Sequence, residues 1–529
     1  MSSPSQVVSP LAPPSVIAHP LAKIGSPYNV GISVLLIVVS IFFGNFFFNQ
    51  RNKKVDRIPF VLYNGSADKD REAFQAKATE MLHKGRKEHP DKPFFIHNDM
   101  GPYLILPSHL AQEVRNLKSF DFALFLKDYY HDGAPGFEPF IGAGRDDKLF
   151  QAVTRKRITN HLTKITQPLS EETSFALNLH FGSSTEWHEY TLGPIGVDII
   201  ARVSSRVLLG QDLCRNEEWL EISKNYTTQG FIAAEVLKQK PKLLRRIYNR
   251  FDPCCIQLRG YIQRARLLIG PVIEERRRIR REAIARGEEP PVFNDSIDWL
   301  EQEAAGNPYD PVAIQMTISV SAIHSTNDLL LKTMFRIAQH PGLADELRSE
   351  ISRVLGKQGW EKTALYDLQL LDSVLKETQR LEPLTLVTLN RFTVSDVTLS
   401  DGTSIPKGVR VGTDSQSRLS EEYYDDPLRF DPYRFVKWRN TDKDNIAHLV
   451  STSPAQMGFG HGEHACPGRF FAANELKIVF CHLLMKYEWK LVEGPSPNVV
   501  PFGLLLNVNP TVKVMLRKRE VIDLDLDTL

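Results

Sequence analysis

One short segment concentrates residue types that can do chemistry: Met457-Gly-Phe-Gly-His-Gly-Glu-His-Ala-Cys466-Pro-Gly-Arg-Phe-Phe471. Gly460, Gly462 and Gly468 permit close approaches and backbone conformations that a side chain forbids, which suits a loop laid against a flat cofactor. The apolar run FFAANELKIVFCHLLMKY that follows reads as a helix buried nearly all round. Cys466 then stands at a buried helix N-terminus, where the dipole and free amide hydrogens favour thiolate over thiol, the form a ferric ion binds. Other readings compete. Gly460 to Ala465 matches a dinucleotide-type GxGxxG/A pattern, but polar STSPAQ precedes it and no βαβ unit surrounds it. His461, His464 and Cys466 suggest zinc, yet a fourth ligand is absent. From the residues alone, a buried structural cysteine stays open.

The loop needs elements to hold it, and helical signals dominate. The clearest helix starts with Asp310 as N-cap and Pro311 at its first position, and stops before Pro341. At 1.5 Å per residue it spans roughly 45 Å, enough to cross a whole domain. It carries Ser321-Ala-Ile-His324-Ser325-Thr326, hydroxyls and an imidazole within two turns. In Leu371 to Pro383, Glu377 and Arg380 lie three apart on one helix face, where an ion pair forms easily. Strand signals are short: TSIPKGVRVGT at 403–413, and a C-terminal run in which Val512, Val514 and Leu516 alternate with more polar neighbours. A mainly α body with small β-sheets is expected.

Phe459, Gly460, Gly462, His464, Cys466 and Gly468 stand where the cytochrome P-450 family places its haem-binding signature, and the chain resembles that family. The resemblance implies that Cys466 is the axial thiolate of haem b, pushing electron density onto iron. His464 occupies a position that in the family is most often an arginine contacting a haem propionate. Arg391 matches another propionate-binding arginine. Arg155 matches a third, although Gln151 replaces the usual tryptophan four residues earlier and a solvated basic face competes as a reading. Glu377 and Arg380 resemble the family's Glu-x-x-Arg motif, and Arg434 in Asp431-Pro-Tyr-Arg434-Phe435 its third member, which implies a buried structural network.

On the long helix, Ser325 and Thr326 stand where the family relays protons to bound dioxygen, and His324 replaces the usual carboxylate. His324 reads equally as a general acid or as a polar residue facing solvent or a neighbouring helix. Family position puts substrate contacts near 137–141, in the helix before Ser325, at 384–388 and at 502–506; these are mostly apolar. The Ala-Ile-His and His-Gly-Glu-His-Ala-Cys segments look like filamentous-fungal members of the ent-kaurene oxidase-like or indole-diterpene type. That implies a hydrophobic substrate, terpenoid or meroterpenoid.

The 529 residues carry 65 basic and 63 acidic side chains, a net charge of +2 that gives no argument for nucleic acid. Five cysteines are too few and too scattered for a disulfide framework. An uncharged apolar stretch at 28–48, followed by Arg51, Lys53, Lys54 and Arg57, reads as one transmembrane anchor with the body on the cytosolic side. The expected partition is a disordered leader at 1–27, the anchor at 28–48, a basic hinge at 49–57, the catalytic domain at 58–519 and an acidic tail at 520–529. The expected site is the endoplasmic reticulum membrane. No second Gly-rich strand–helix unit offers a flavin or nicotinamide site, so electrons must come from outside, and the resemblance implies a membrane-bound NADPH–cytochrome P-450 reductase as their source. The expected reaction is oxygen insertion from O2. Alternatives are an electron-independent isomerase or dehydratase on the same haem, and a haem-free binding module.

Overall fold

The long helix begins where its sequence predicts. The Asp310 carboxylate accepts the Val312 and Ala313 amides at 3.1 and 3.0 Å, and Pro311 fills the first helical position. This computed structural model describes residues 58–492 and 499–529. The expected leader, anchor and hinge lie outside the described residues. Among the described residues, no helix is long and apolar enough to cross a membrane.

The helices that frame the site are α1 (Ala67–Glu88), α2 (Phe122–Tyr129), α3 (Leu162–Phe181), α4 (Leu192–Leu208) and α5 (Glu217–Lys238). They are followed by α6 (Pro253–Ala285), α7 (Pro311–Ala338, the long helix), α8 (Gln369–Leu381) and α9 (Arg469–Lys486). Helix α7 runs through the centre and packs on α4 and α5, while α9 packs on α3. Most of α7 and α9 is buried, which is why both sequences are apolar on nearly every face.

The strands that matter are β1 (Phe94–Asn98), β2 (Gly101–Leu106), β3 (Val387–Thr393), β4 (Arg410–Asp414), β5 (Val499–Phe502) and β6 (Leu505–Val508). The largest sheet has five strands in the order β1, β2, β4, β3 and the short strand Phe120–Asp121. Only the β2–β4 pair is parallel. Strands β5 and β6 form a separate antiparallel hairpin, Phe502 opposite Leu505. The run containing Val512, Val514 and Leu516 forms the strand Lys513–Lys518, with Val514 and Leu516 fully buried.

Residues 520–529, acidic in sequence, lie on the body. Leu526 is fully buried, its carbonyl accepts the Trp360 indole N–H at 3.0 Å, and Asp527 pairs with Lys486 at 2.7 Å.

On α9, Glu475 is fully buried, and one carboxylate oxygen accepts the Ser204 hydroxyl at 2.6 Å. Burial pushes this carboxyl up to about 8. An unfolded glutamate titrates near ~4.3, so between the two values the folded chain holds the extra proton and stability falls as pH rises. Glu475→Gln keeps the acceptor and removes the titration. In denaturant titrations its stability should exceed the parent's by a margin that vanishes near pH ~4 and grows towards pH ~8; a margin independent of pH would contradict this.

Candidate active site

The cysteine loop is held by its own backbone. The Gly460 amide donates to the Met457 carbonyl and the Cys466 amide to the Phe459 carbonyl, both at 2.8 Å. Gly460 and Gly462 adopt φ of +68° and +81°, left-handed values that disfavour other residues. At Gly462 a Cβ would also lie 2.5 Å from the Asn116 side-chain oxygen. Gly468 caps α9 two residues after the cysteine. The Cys466 side chain is half-buried and opens onto a cavity. Burial pushes its thiol up, opposed by the Gly468 amide and the Arg469 charge. The helix end therefore does not outweigh burial, and a cation bound at the sulfur would displace the proton.

The cavity measures about 690 Å³ and Cys466, Phe459, Gly460 and Gly468 line it. Ser321, Ala322, Ser325 and Thr326 of α7 form one wall, and Phe502, Leu504 and Leu505 of the β5–β6 hairpin another. Leu384, Thr385, Val387 and Thr388 line it as the sequence reading placed them. The segment 137–141 does not. Phe137 and Phe140 are buried in the core, Phe140 stacked on Tyr130 at 4.7 Å and Tyr226 at 5.3 Å. Helix α2 takes that place with Phe122, Phe125, Leu126 and Tyr129. Their i, i+3, i+4, i+7 spacing marks an apolar face that was legible in sequence, and none of α2 is fully buried because this face meets the cavity.

Strand β3 breaks its alternation at the cavity. A bulge between Thr388 and Arg391, with Leu389 at φ +47°, turns Leu389, Asn390 and Arg391 all towards it. Arg391 is buried, and one terminal nitrogen donates to the Asn390 carbonyl at 2.8 Å. The other, Nη2, has no partner among the described residues. Burial pulls this guanidinium down to about 10. His464 sits at the cavity rim, its ring 5.3 Å from Phe122; burial and the Arg391 charge hold its imidazole below the ordinary value. Arg155 lies on a π-helical segment, Val153–Ile158, lines the cavity and donates to the Glu463 carbonyl at 2.6 Å. A cysteine and an unpartnered buried guanidinium nitrogen lining one largely apolar cavity fit haem b: the sulfur would bind iron, and Arg391 with His464 and Arg155 would hold the propionates. His461 is engaged elsewhere, by Gln112 and Thr452 at 3.0 Å each.

On α7 the Ser325 hydroxyl donates to the Ser321 carbonyl at 3.1 Å, and that of Ser321 to the Thr317 carbonyl at 2.8 Å. Thr326 is buried and borders the cavity. His324 turns away from it. Its Nε2 meets the Lys224 carbonyl of α5 at 2.9 Å, and burial holds its imidazole below the ordinary range. The structure thus places His324 against the neighbouring helix, and it does not line the cavity. Among the acids that border the cavity, Asp328 is the one on α7, one turn past Ser325, and sequence reasoning missed it.

Behind the loop, Arg380 holds Glu377 bidentately at 2.7 Å for each bond, and Arg434 Nε reaches the same carboxylate at 3.1 Å. The arginines also donate to backbone carbonyls, Arg380 to Arg418 and Pro427 and Arg434 to Asp425 and Arg429. On the same helix the Gln379 side chain lies so close to Gly458 that a Cβ there would be 2.3 Å away. A second buried network escaped the sequence reading: Asp372 pairs with Arg439 and Lys477, each at 2.7 Å.

A model of the cytochrome P-450 family matches residues 267–516. Cytochrome P-450 monooxygenase 1 of Gibberella fujikuroi is 44% identical over 434 residues, 82% of this chain and 98% of that protein. Cytochrome P-450 monooxygenase hepE of Aspergillus oryzae is 41% identical over 460 residues, 86% and 84% of the two chains. The retinoic acid-bound cyanobacterial CYP120A1 shares the fold, with a TM-score of 0.62 at 17% identity over 85% of this chain and 96% of that one. The chain belongs to the cytochrome P-450 family and is a P-450 oxidoreductase.

Removing Glu377 would strand two buried arginines. Glu377→Ala should lose about 3 to 5 kcal/mol in equilibrium denaturation; a loss under about 1 kcal/mol would mean the arginines are satisfied by their carbonyl partners alone.

Proposed function

We propose that this chain is a haem-thiolate monooxygenase, anchored in the endoplasmic reticulum membrane by one N-terminal helix with its catalytic body in the cytosol. It inserts oxygen from O2 into a hydrophobic secondary metabolite, terpenoid or meroterpenoid, with NADPH-derived electrons delivered by a reductase. The observation that carries this reading is Cys466 opening into an apolar-walled cavity beside the unpartnered Arg391 nitrogen. The substrate class is supported by the apolar walls and by the filamentous-fungal sources of the relatives.

Each residue has a defined task in this reading. The Cys466 sulfur ligates iron, and Arg391, His464 and Arg155 hold the propionates. Bound there, the haem supplies dioxygen binding and activation. The Ser325 and Thr326 hydroxyls hold protons at Oγ and Oγ1 on the α7 wall and pass them inward. Phe122, Phe125 and Leu505 exclude bulk water and orient an apolar substrate. His324 pins α7 to the α5 backbone and transfers no proton. The basic run after residue 48 and the apolar stretch before it support the anchor.

The haem-loaded chain incubated with reductase, NADPH, ¹⁸O-labelled dioxygen and a panel of terpenoids should place label in product. Turnover without reductase and without label would overturn the oxygenase reading. Ser325→Ala combined with Thr326→Val should divert electrons to hydrogen peroxide and lower product per NADPH by about tenfold or more. His324→Gln should leave that ratio within about twofold.

A further inference from the structure

The hairpin wall of the cavity is tied to α7 by a buried ion pair. Lys332 and Asp328 lie one turn apart; the lysine Nζ meets the Asp328 carboxylate at 2.6 Å. Lys332 is fully buried and Asp328 is 5% exposed. The same Nζ donates to the Leu506 carbonyl at 2.6 Å, and the other Asp328 oxygen accepts the Val508 amide at 2.7 Å. Two charges thus engage two backbone groups of β6.

The pattern of those groups gives the arrangement its meaning. In an extended strand, alternate residues present their backbone groups to the same edge. On this edge of β6 the Leu504 carbonyl accepts from the Leu386 amide at 3.0 Å, and the Leu506 amide donates to the Leu384 carbonyl at 2.9 Å. The next two groups on that edge are the Leu506 carbonyl and the Val508 amide. Lys332 and Asp328 take them, the ammonium acting as a strand N–H and the carboxylate as a strand carbonyl. The ion pair continues the ladder where residues 384–386 leave it. On its other edge β6 pairs with β5, and the turn is pinned by the Gly503 amide donating to the Gln75 carbonyl at 2.8 Å.

We infer that Asp328 and Lys332 are positioning residues that set the height of Leu505 and Phe502 over the cavity relative to Ser325. All of these stand on, or are tied to, one rigid helix. Ser325, Asp328 and Lys332 succeed one another at i, i+3 and i+7, so the hydroxyl wall and the hairpin wall share a reference frame. Releasing the hairpin would change which part of a bound molecule faces the reactive end, without touching Cys466. The substrate-facing part of this inference rests on the cavity being the substrate site.

The test uses the haem-loaded full chain in detergent, with Lys332→Met, Asp328→Asn and the conservative Lys332→Arg. Lys332→Met removes the charge-assisted bond to the Leu506 carbonyl and the cation beside Asp328, so exchange of the Val508 amide should speed at least about tenfold. Amides of α8 should keep the parental rate, as a merely global loss of stability would not allow. Two azoles then probe the cavity through the shift of the haem absorption band: imidazole, which needs only iron, and 1-dodecylimidazole, whose tail must pass along the walls. Lys332→Met should weaken the long azole by about fivefold and imidazole by less than about twofold, with Lys332→Arg restoring much of the difference. Asp328→Asn should act in the same direction, which keeps the test open should one variant fail to fold. Unchanged Val508 exchange in both variants, or parallel loss of both azoles, would overturn the inference. If the parent binds imidazole but not the long azole, the cavity is not the substrate site and the positioning role falls with it. The exchange result then shows separately whether the tie itself holds.

Discussion

The site depends on one buried carboxylate, that of Glu377. Glu377 sits between two arginines with no access to water, and those arginines reach backbone carbonyls from Arg418 to Arg429. A buried ion network of this kind adds little net stability over an apolar core, but it tolerates few alternative arrangements. It therefore fixes α8, and α8 presses Gln379 against Gly458 at the start of the cysteine loop. The position of Cys466 follows through the Phe459 carbonyl that accepts its amide. The Asp372 network with Arg439 and Lys477 supports the approach to the same loop, since Asp372 also accepts the Leu449 amide at 2.8 Å.

The protein thus fixes where the sulfur is, but its own field does not ionise it. Two donors at the α9 end and a nearby arginine are outweighed by the loss of water around Cys466. A thiol held this way is a poor nucleophile and a good ligand, because the cation that binds it also removes the proton. The same asymmetry governs Arg391. Its burial is costly while Nη2 lacks a partner, and an anion there would relieve the cost. Both groups face one cavity, and a metal complex bearing carboxylates would satisfy both.

Much of this was legible in the residues. The cysteine loop is dense in glycine, the Asp310-Pro311 start of α7 is a local signal, and the Glu377–Arg380 spacing is a helix-face relation. What the sequence left open or misplaced depends on which face a helix turns to its neighbours. His324 carries the same sequence information whether it meets the cavity or the Lys224 carbonyl, and only the packing of α5 decides. Family position puts substrate contacts at 137–141, but Phe140 packs against Tyr130 and Tyr226. Asp328 and Lys332 drew no attention in the sequence, because nothing local reveals that a strand edge from residues 506–508 arrives above them.

The central claim is that Cys466, placed by the loop and the network behind it, is the sulfur bound to iron. X-ray absorption at the iron edge of the purified, haem-loaded full chain tests it most directly. The parent should show one sulfur neighbour in the first shell of iron, and Cys466→Ala should show only nitrogen and oxygen neighbours. A parent without that sulfur, or a variant that keeps it, would contradict the account.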